Sequence, residues 1–221
     1  MDLDPWLPRA AALRPDHPAL LAGAVALTYA ELYAHALDAA AVLAAQGIEG
    51  GARVGISLPP GVPFVVAVHA TLLLGAAVVP IDHRLGGERA GRSAGARVIV
   101  DEPLARRGEP DPPTATRLEA GSAIAVIHTS GTTAIPKPVV LTAGNWLWSA
   151  LGSALALGFD LGDRWLCTLP LSHVGGLSIA IRSAIYGTTV VLHERFDAHA
   201  ARAAIEQDGV TLVSLVPTTL Q

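Results

Sequence analysis

Short, almost wholly apolar runs alternate with helical stretches along most of this chain, and that alternation restricts the fold more than any other feature. Arg53-Val54-Gly55-Ile56-Ser57-Leu58, Ala77-Val78-Val79-Pro80-Ile81 and Arg97-Val98-Ile99-Val100 read as three strands, with Ala123 to His128 as a fourth. Strands wetted on one face alternate polar and apolar residues, whereas strands covered on both faces read as near-continuous apolar runs. Helices between such strands complete the pattern of an α/β fold, with largely parallel sheets flanked by helices.

The intervening segments carry helix punctuation. Thr28 and Glu31 have the spacing of a capping box, after which Leu32, Tyr33, Ala36, Leu37, Ala40 and Leu43 recur on one face until Gly47. An apolar helix is expected over about 62–74 and a short one over about 87–93. Beyond Val139–Leu141, read as a strand, Thr142 caps a helix running to about Leu157, with Gly158 as its stop. Three further strands, 165–169, 188–192 and 210–216, are separated by helices over about 176–186 and 198–207, the second capped by Asp197. A proline-, arginine- and acid-rich stretch breaks the pattern in the middle. The expected organisation is therefore a first α/β segment over 1–101, a surface linker over 102–120 and a second α/β segment over 121–221.

Composition excludes several classes. The chain is 51% apolar and 15% charged, with a mean hydropathy of +0.45, so it buries enough surface to fold. Its net charge is −4 and no basic stripe occurs, which argues against nucleic acid as a partner. The uncharged stretch from Val62 to Ile81 is long enough to span a bilayer, but Pro63, Gly75 and Pro80 interrupt it, and a buried helix followed by a strand is the better reading. Met1-Asp2-Leu3-Asp4-Pro5 does not resemble a signal peptide. A single cysteine, Cys167, within an apolar run, fits a buried structural thiol in a reducing, cytoplasmic setting. His193 and His199 lack helix metal-ligand spacing, no metal site is expected, and Trp146 and Trp148 read as packing residues.

The segment richest in chemistry is Thr129-Ser130-Gly131-Thr132-Thr133-Ala134-Ile135-Pro136-Lys137. It follows an apolar strand and so emerges where open α/β sheets place ligands. Hydroxyls, a permissive glycine and a lysine can cradle a polyphosphate, although a Ser/Thr-rich turn is by itself as compatible with a solvated loop. It is not a Walker A loop, since no Gly-Lys-Ser/Thr follows Gly131 at the required distance.

Strand–Thr-Ser-Gly-Thr-Thr–x-x-Pro-Lys resembles the phosphate-binding loop of the adenylate-forming superfamily of acyl-CoA ligases, luciferases and peptide-synthetase adenylation domains. The early Leu27-Thr28-Tyr29-Ala30-Glu31-Leu32, the later Pro170-Leu171-Ser172-His173-Val174-Gly175-Gly176 and the terminal Leu215-Val216-Pro217-Thr218 resemble further segments of that family, in consistent order. The resemblance implies that Thr129, Ser130, Gly131, Thr132, Thr133 and Lys137 bind ATP, with Lys137 also acting on the departing pyrophosphate. Mg2+ and coenzyme A are the other implied participants. His173 would position the carboxylate being activated and help gate the acyl tunnel. Ala134 and Pro138 stand where glycines are common, and Ile135 where a lysine is common, which implies a stiffer loop with one charge fewer.

Residues 144–154 and 173–187 are similar to the o-succinylbenzoate–CoA ligases of menaquinone synthesis. An arginine among Ile179, Ile181 and Ile185 is costly to bury without an anion. An ion pair or a side chain reaching to water would explain it, as would a pocket base gripping a substrate's second carboxylate. On the resemblance, Arg182 takes the last role, toward the aromatic carboxylate of o-succinylbenzoate. The family's adenine, ribose and Mg2+ contacts and its C-terminal catalytic lysine do not occur before Gln221. The expectation is the N-terminal part of such a ligase, inactive by itself and compatible with a homodimer. The alternatives are another aryl- or acyl-CoA ligase, an amino-acid adenylating domain, or a non-catalytic module that keeps the fold.

Overall fold

A computed structural model describes residues 1–85, 94–129 and 137–217. Two five-stranded sheets dominate it. The first contains β4 (Arg53–Ile56), β5 (Ala77–Pro80), β6 (Val98–Val100), β8 (Ala123–Thr129) and β9 (Lys137–Thr142), in the order β6-β4-β5-β8-β9. The second contains β2 (Pro18–Ala22), β3 (Val25–Thr28), β10 (Arg164–Cys167), β11 (Thr189–Leu192) and β12 (Leu212–Val213), in the order β12-β10-β11-β2-β3. Within each sheet the pairings are parallel except at one edge, β8 with β9 and β2 with β3. A two-stranded antiparallel ribbon joins β1 (Asp2–Leu3) to β7 (Leu118–Glu119).

Six helices are described: α1 (Trp6–Leu13), α2 (Tyr29–Ala45), α3 (Val62–Leu73), α4 (Ala143–Leu157), α5 (Val174–Tyr186) and α6 (Ala198–Gln207). The three capping signals expected at their starts are realised. Thr28 and Glu31 close a box on α2, and Thr142 closes one with Asn145 on α4, each satisfying amides that a helix start leaves open. Asp197 caps α6 through the Ala200 amide. The expected short helix at 87–93 lies outside the described residues.

α2 packs on α3, α2 lies against β2 and β3, and α3 lies against β4 and β5. One core therefore runs from sheet to sheet through this helical layer, with Leu20, Leu43, Ile56, Phe64 and Leu177 fully buried. Smaller clusters cover the outer faces: Val79, Ile81 and Val126 on the first sheet, Leu166, Val191 and α6 alanines on the second. Burial on both faces is why these strands read as continuous apolar runs.

Each sheet draws strands from both sides of residues 102–120. β2 and β3 join β10 to β12, while β8 and β9 join β4 to β6. The stretch between is itself tied down, with the Ala115 amide donating to the Leu73 carbonyl at 2.7 Å and Arg106 bridging Asp38 and Asp111. No described helix is long and apolar enough to cross a membrane.

The α3 helix buries His69, and loss of water around the ring pulls its pKa from 6.5 down to about 4. The folded pKa is the lower one, so between these values the unfolded chain binds the extra proton. Stability is then complete above pH ~6.5 and declines as the pH falls toward 4. At ~1.4 kcal/mol per pK unit, His69 costs about 2–3 kcal/mol of stability between pH 7.5 and 4.5. Urea unfolding at both pH values should show this loss, and His69→Leu should lessen it by that amount. An identical pH loss in His69→Leu would contradict the assignment.

Candidate functional site

The carboxyl ends of the two sheets face one another across a cleft of about 440 Å3. Residues just past β4 (Leu58, Pro60), β5 (Ile81, Arg84) and β10 (Thr168, Ser172) line it. Parallel strands deliver their connecting loops to one end, which is why ligands gather there. At this mouth Asp82 and Arg84 form a two-point pair at 2.9 and 2.7 Å, and the Arg84 hydrogen bonds hold the Asp82 carboxyl at about 2. The buried Thr168 hydroxyl, which also lines the cleft, has no hydrogen-bond partner among the described residues.

β8 and β9 form an antiparallel hairpin whose last register pair is Thr129 opposite Lys137. β8 runs parallel to β5, so this pair stands at the carboxyl end of the first sheet. Of the expected phosphate contacts, Ser130, Gly131, Thr132 and Thr133 lie outside the described residues, as do Ala134 and Ile135. Lys137 is exposed at the start of β9.

On the second sheet, β10 leads through Thr168–Ser172 into α5, of which His173 is the N-cap. Its carbonyl accepts the Leu177 amide at 3.0 Å, while its exposed ring makes no capping bond. Gly176 follows for a steric reason. A Cβ there would lie 2.5 Å from the carbonyl oxygens of Leu169 and Pro170, so the first turn of α5 sits too close to the strand–helix connection for any side chain. Cys167, just before, is fully buried and its thiol is pushed up to about 12 by burial, which makes it a packing group and not a nucleophile.

Arg182 lies nine residues beyond His173, about 13 Å along the helix at 1.5 Å per residue. Its guanidinium contacts Ser149 Oγ at 3.3 Å and Ser153 Oγ at 3.4 Å, both on α4, and stands 4.9 Å over the Trp165 ring. Burial lowers its pKa, yet no carboxylate pairs with it among the described residues. The structure thus gathers the hairpin, His173 and the cleft at one end of the sheets, and places Arg182 farther along α5.

A profile of AMP-binding enzymes matches residues 7–106 and 91–221. The chain belongs to the AMP-binding enzyme family. Among relatives of this AMP-binding chain, a 2-succinylbenzoate–CoA ligase of Bacillus licheniformis is 36% identical over 100% of this chain and 51% of its own length. That of Geobacillus kaustophilus is 36% identical over 98% and 48%. The o-succinylbenzoate–CoA synthetase of Bacillus subtilis, solved with its acyl-adenylate intermediate, superposes with a TM-score of 0.94 at 34% identity, covering 100% of this chain and 50% of that one. The same enzyme solved with ATP and magnesium gives a TM-score of 0.92 at 33% identity, covering 100% and 65%. This AMP-binding chain spans about half the length of the relatives it matches.

Several features were not foreseen. Around Arg182, Ser149 and Ser153 come from α4 and Trp165 from β10, and only the four-residue serine spacing hinted at a shared face. Trp146 is buried as expected, but Trp148 is 71% exposed, because residues two apart on a helix point to nearly opposite sides.

Proposed function

We propose that this chain supplies the phosphate-loop and acyl-recognition portion of an ATP-dependent, AMP-forming o-succinylbenzoate–CoA ligase of menaquinone synthesis, acting in the cytoplasm. The observation that carries the reading is Arg182. A half-buried guanidinium whose polar partners among the described residues are two hydroxyls and an indole ring calls for an anion, and o-succinylbenzoate offers a second carboxylate that the chemistry does not consume.

The aliphatic carboxylate attacks the α-phosphorus of ATP, forming acyl-adenylate and releasing pyrophosphate. The thiol of coenzyme A then displaces AMP and leaves the thioester. Thr129, Ser130, Gly131, Thr132 and Thr133 cradle the phosphates, and Lys137 at the hairpin foot compensates charge building on pyrophosphate. His173, exposed beside the cleft, positions the reacting carboxylate. Arg182 holds the aromatic one, so the acid is fixed from both ends before reaction. Among the described residues no cluster of three metal-ligating side chains occurs, and Mg2+ would enter the site as the counter-ion of the nucleotide phosphates.

The test uses the complete enzyme, meaning this chain together with the portion its relatives carry beyond it. Acid-dependent ATP–pyrophosphate exchange should favour o-succinylbenzoate over benzoate and fatty acids by about a hundredfold or more, since a site built to pair a charge rejects ligands lacking it. Comparable exchange with a fatty acid would remove Arg182 from acid selection.

A further inference from the structure

The arrangement around Arg182 supports a step beyond the choice of acid. We propose that Ser149 and Ser153 are positioning residues that set the orientation of the Arg182 guanidinium, leaving its unused N–H edge presented to the aromatic carboxylate of the substrate. This rests on the reading of Arg182 given under the proposed function.

A guanidinium has five N–H donors in a fixed plane. Here Nη1 donates to Ser153 and Nη2 to Ser149, which takes two of the five and leaves three. Residues four apart share a helix face, so the two hydroxyls form a pair of acceptors matched to the two Nη atoms. At 3.4 and 3.3 Å these contacts are longer than the usual ~2.9–3.0 Å, so they steer the group more than they satisfy it. Neither hydroxyl carries charge, and among the described residues no carboxylate pairs with the cation after both bonds form.

Two other contacts fix this frame. The Trp165 ring lies 4.9 Å from the guanidinium carbon and supports the cation through its π face. Its own orientation is pinned by the indole N–H donating to Ser214 Oγ at 3.0 Å. One turn beyond Arg182, the Tyr186 hydroxyl donates to the Ala150 carbonyl and ties α5 to α4, which keeps the serines within reach. The arginine stem, long and rotatable, is thereby held to one direction. An unrestrained guanidinium would have to lose that freedom when the acid binds, at the expense of affinity.

The experiment is a kinetic double-mutant cycle in the complete enzyme, using Ser149→Ala with Ser153→Ala and, separately, Arg182→Ala. Each form is assayed with o-succinylbenzoate and with 4-oxo-4-phenylbutanoate, which lacks the aromatic carboxylate. In the native background the serine pair should raise KM for o-succinylbenzoate roughly tenfold, with kcat and the KM for ATP within about twofold. The analogue should be used equally well by both forms, and replacing both serines by threonine should restore the native KM. In the Arg182→Ala background, removing the serines should change nothing further. If serine loss has no effect on KM, or adds its full effect to that of Arg182→Ala, the positioning role is overturned while Arg182 keeps its own. If Arg182→Ala itself fails to distinguish the two acids, the inference falls with the reading beneath it.

Discussion

Arg182→Ala in the complete enzyme should lower kcat/KM for o-succinylbenzoate by about 30- to several-thousand-fold, equivalent to roughly 2–5 kcal/mol. Much of that loss comes from the substrate carboxylate, which stays desolvated and unpaired once the guanidinium is gone. An acid without the aromatic carboxylate strands no charge and should lose little, and ATP use should be nearly unchanged. Arg182→Lys should recover only part of the loss, because an ammonium cannot repeat the planar two-point grip. Steady-state kinetics with the two acids measures this directly. Equal losses on both would mean that Arg182 is there to join α5 to α4 through Ser149 and Ser153 and to β10 through Trp165.

Lys137→Ala is the second large effect expected. Lys137 opens β9 opposite Thr129, so the sheet fixes its backbone at the foot of the proposed phosphate loop. Removing the charge proposed to act on developing pyrophosphate should slow adenylation by about 10²–10³-fold, in line with the loss of one transition-state donor. Thioester formation started from supplied acyl-adenylate should be far less affected, since pyrophosphate has already left. The two half-reactions are separable by rapid quench. Equal slowing of both, or neither, would take Lys137 out of the first step.

Much of the fold was legible because its signals are local. The Thr28–Glu31 spacing, the stop at Gly47 and the apolar runs of β4, β5 and β8 each announce an element within a few residues. α1 was not, because Pro5, Pro8 and Pro15 punctuate the segment; Pro8 is tolerated only because it falls in the first turn, where no intrahelical amide is lost. β2 was hidden in a short run after Pro15-Asp16-His17, and it acquires strand character by pairing with β11, far away in the chain. The long strand expected over 210–216 reduces to Leu212–Val213, where β10 supplies a partner. Sheet order is non-local in the same way, and nothing near residue 20 indicates that β2 and β3 join β10 to β12.

The site divides similarly. The hairpin loop and the Pro-Leu-Ser-His turn are contiguous and could be found by motif. Arg182 could be singled out as a cation in an apolar helix, but its serine and indole neighbours depend on tertiary contacts.

The claim that this chain's site activates o-succinylbenzoate as an adenylate is tested most directly by following the nucleotide. The complete enzyme, incubated with o-succinylbenzoate and Mg-ATP without coenzyme A, should form enzyme-bound acyl-adenylate and release pyrophosphate in equal amount, both identified by mass spectrometry. Addition of coenzyme A should convert the adenylate to thioester and AMP. Release of ADP and phosphate, or pyrophosphate release that does not depend on the acid, would contradict the account.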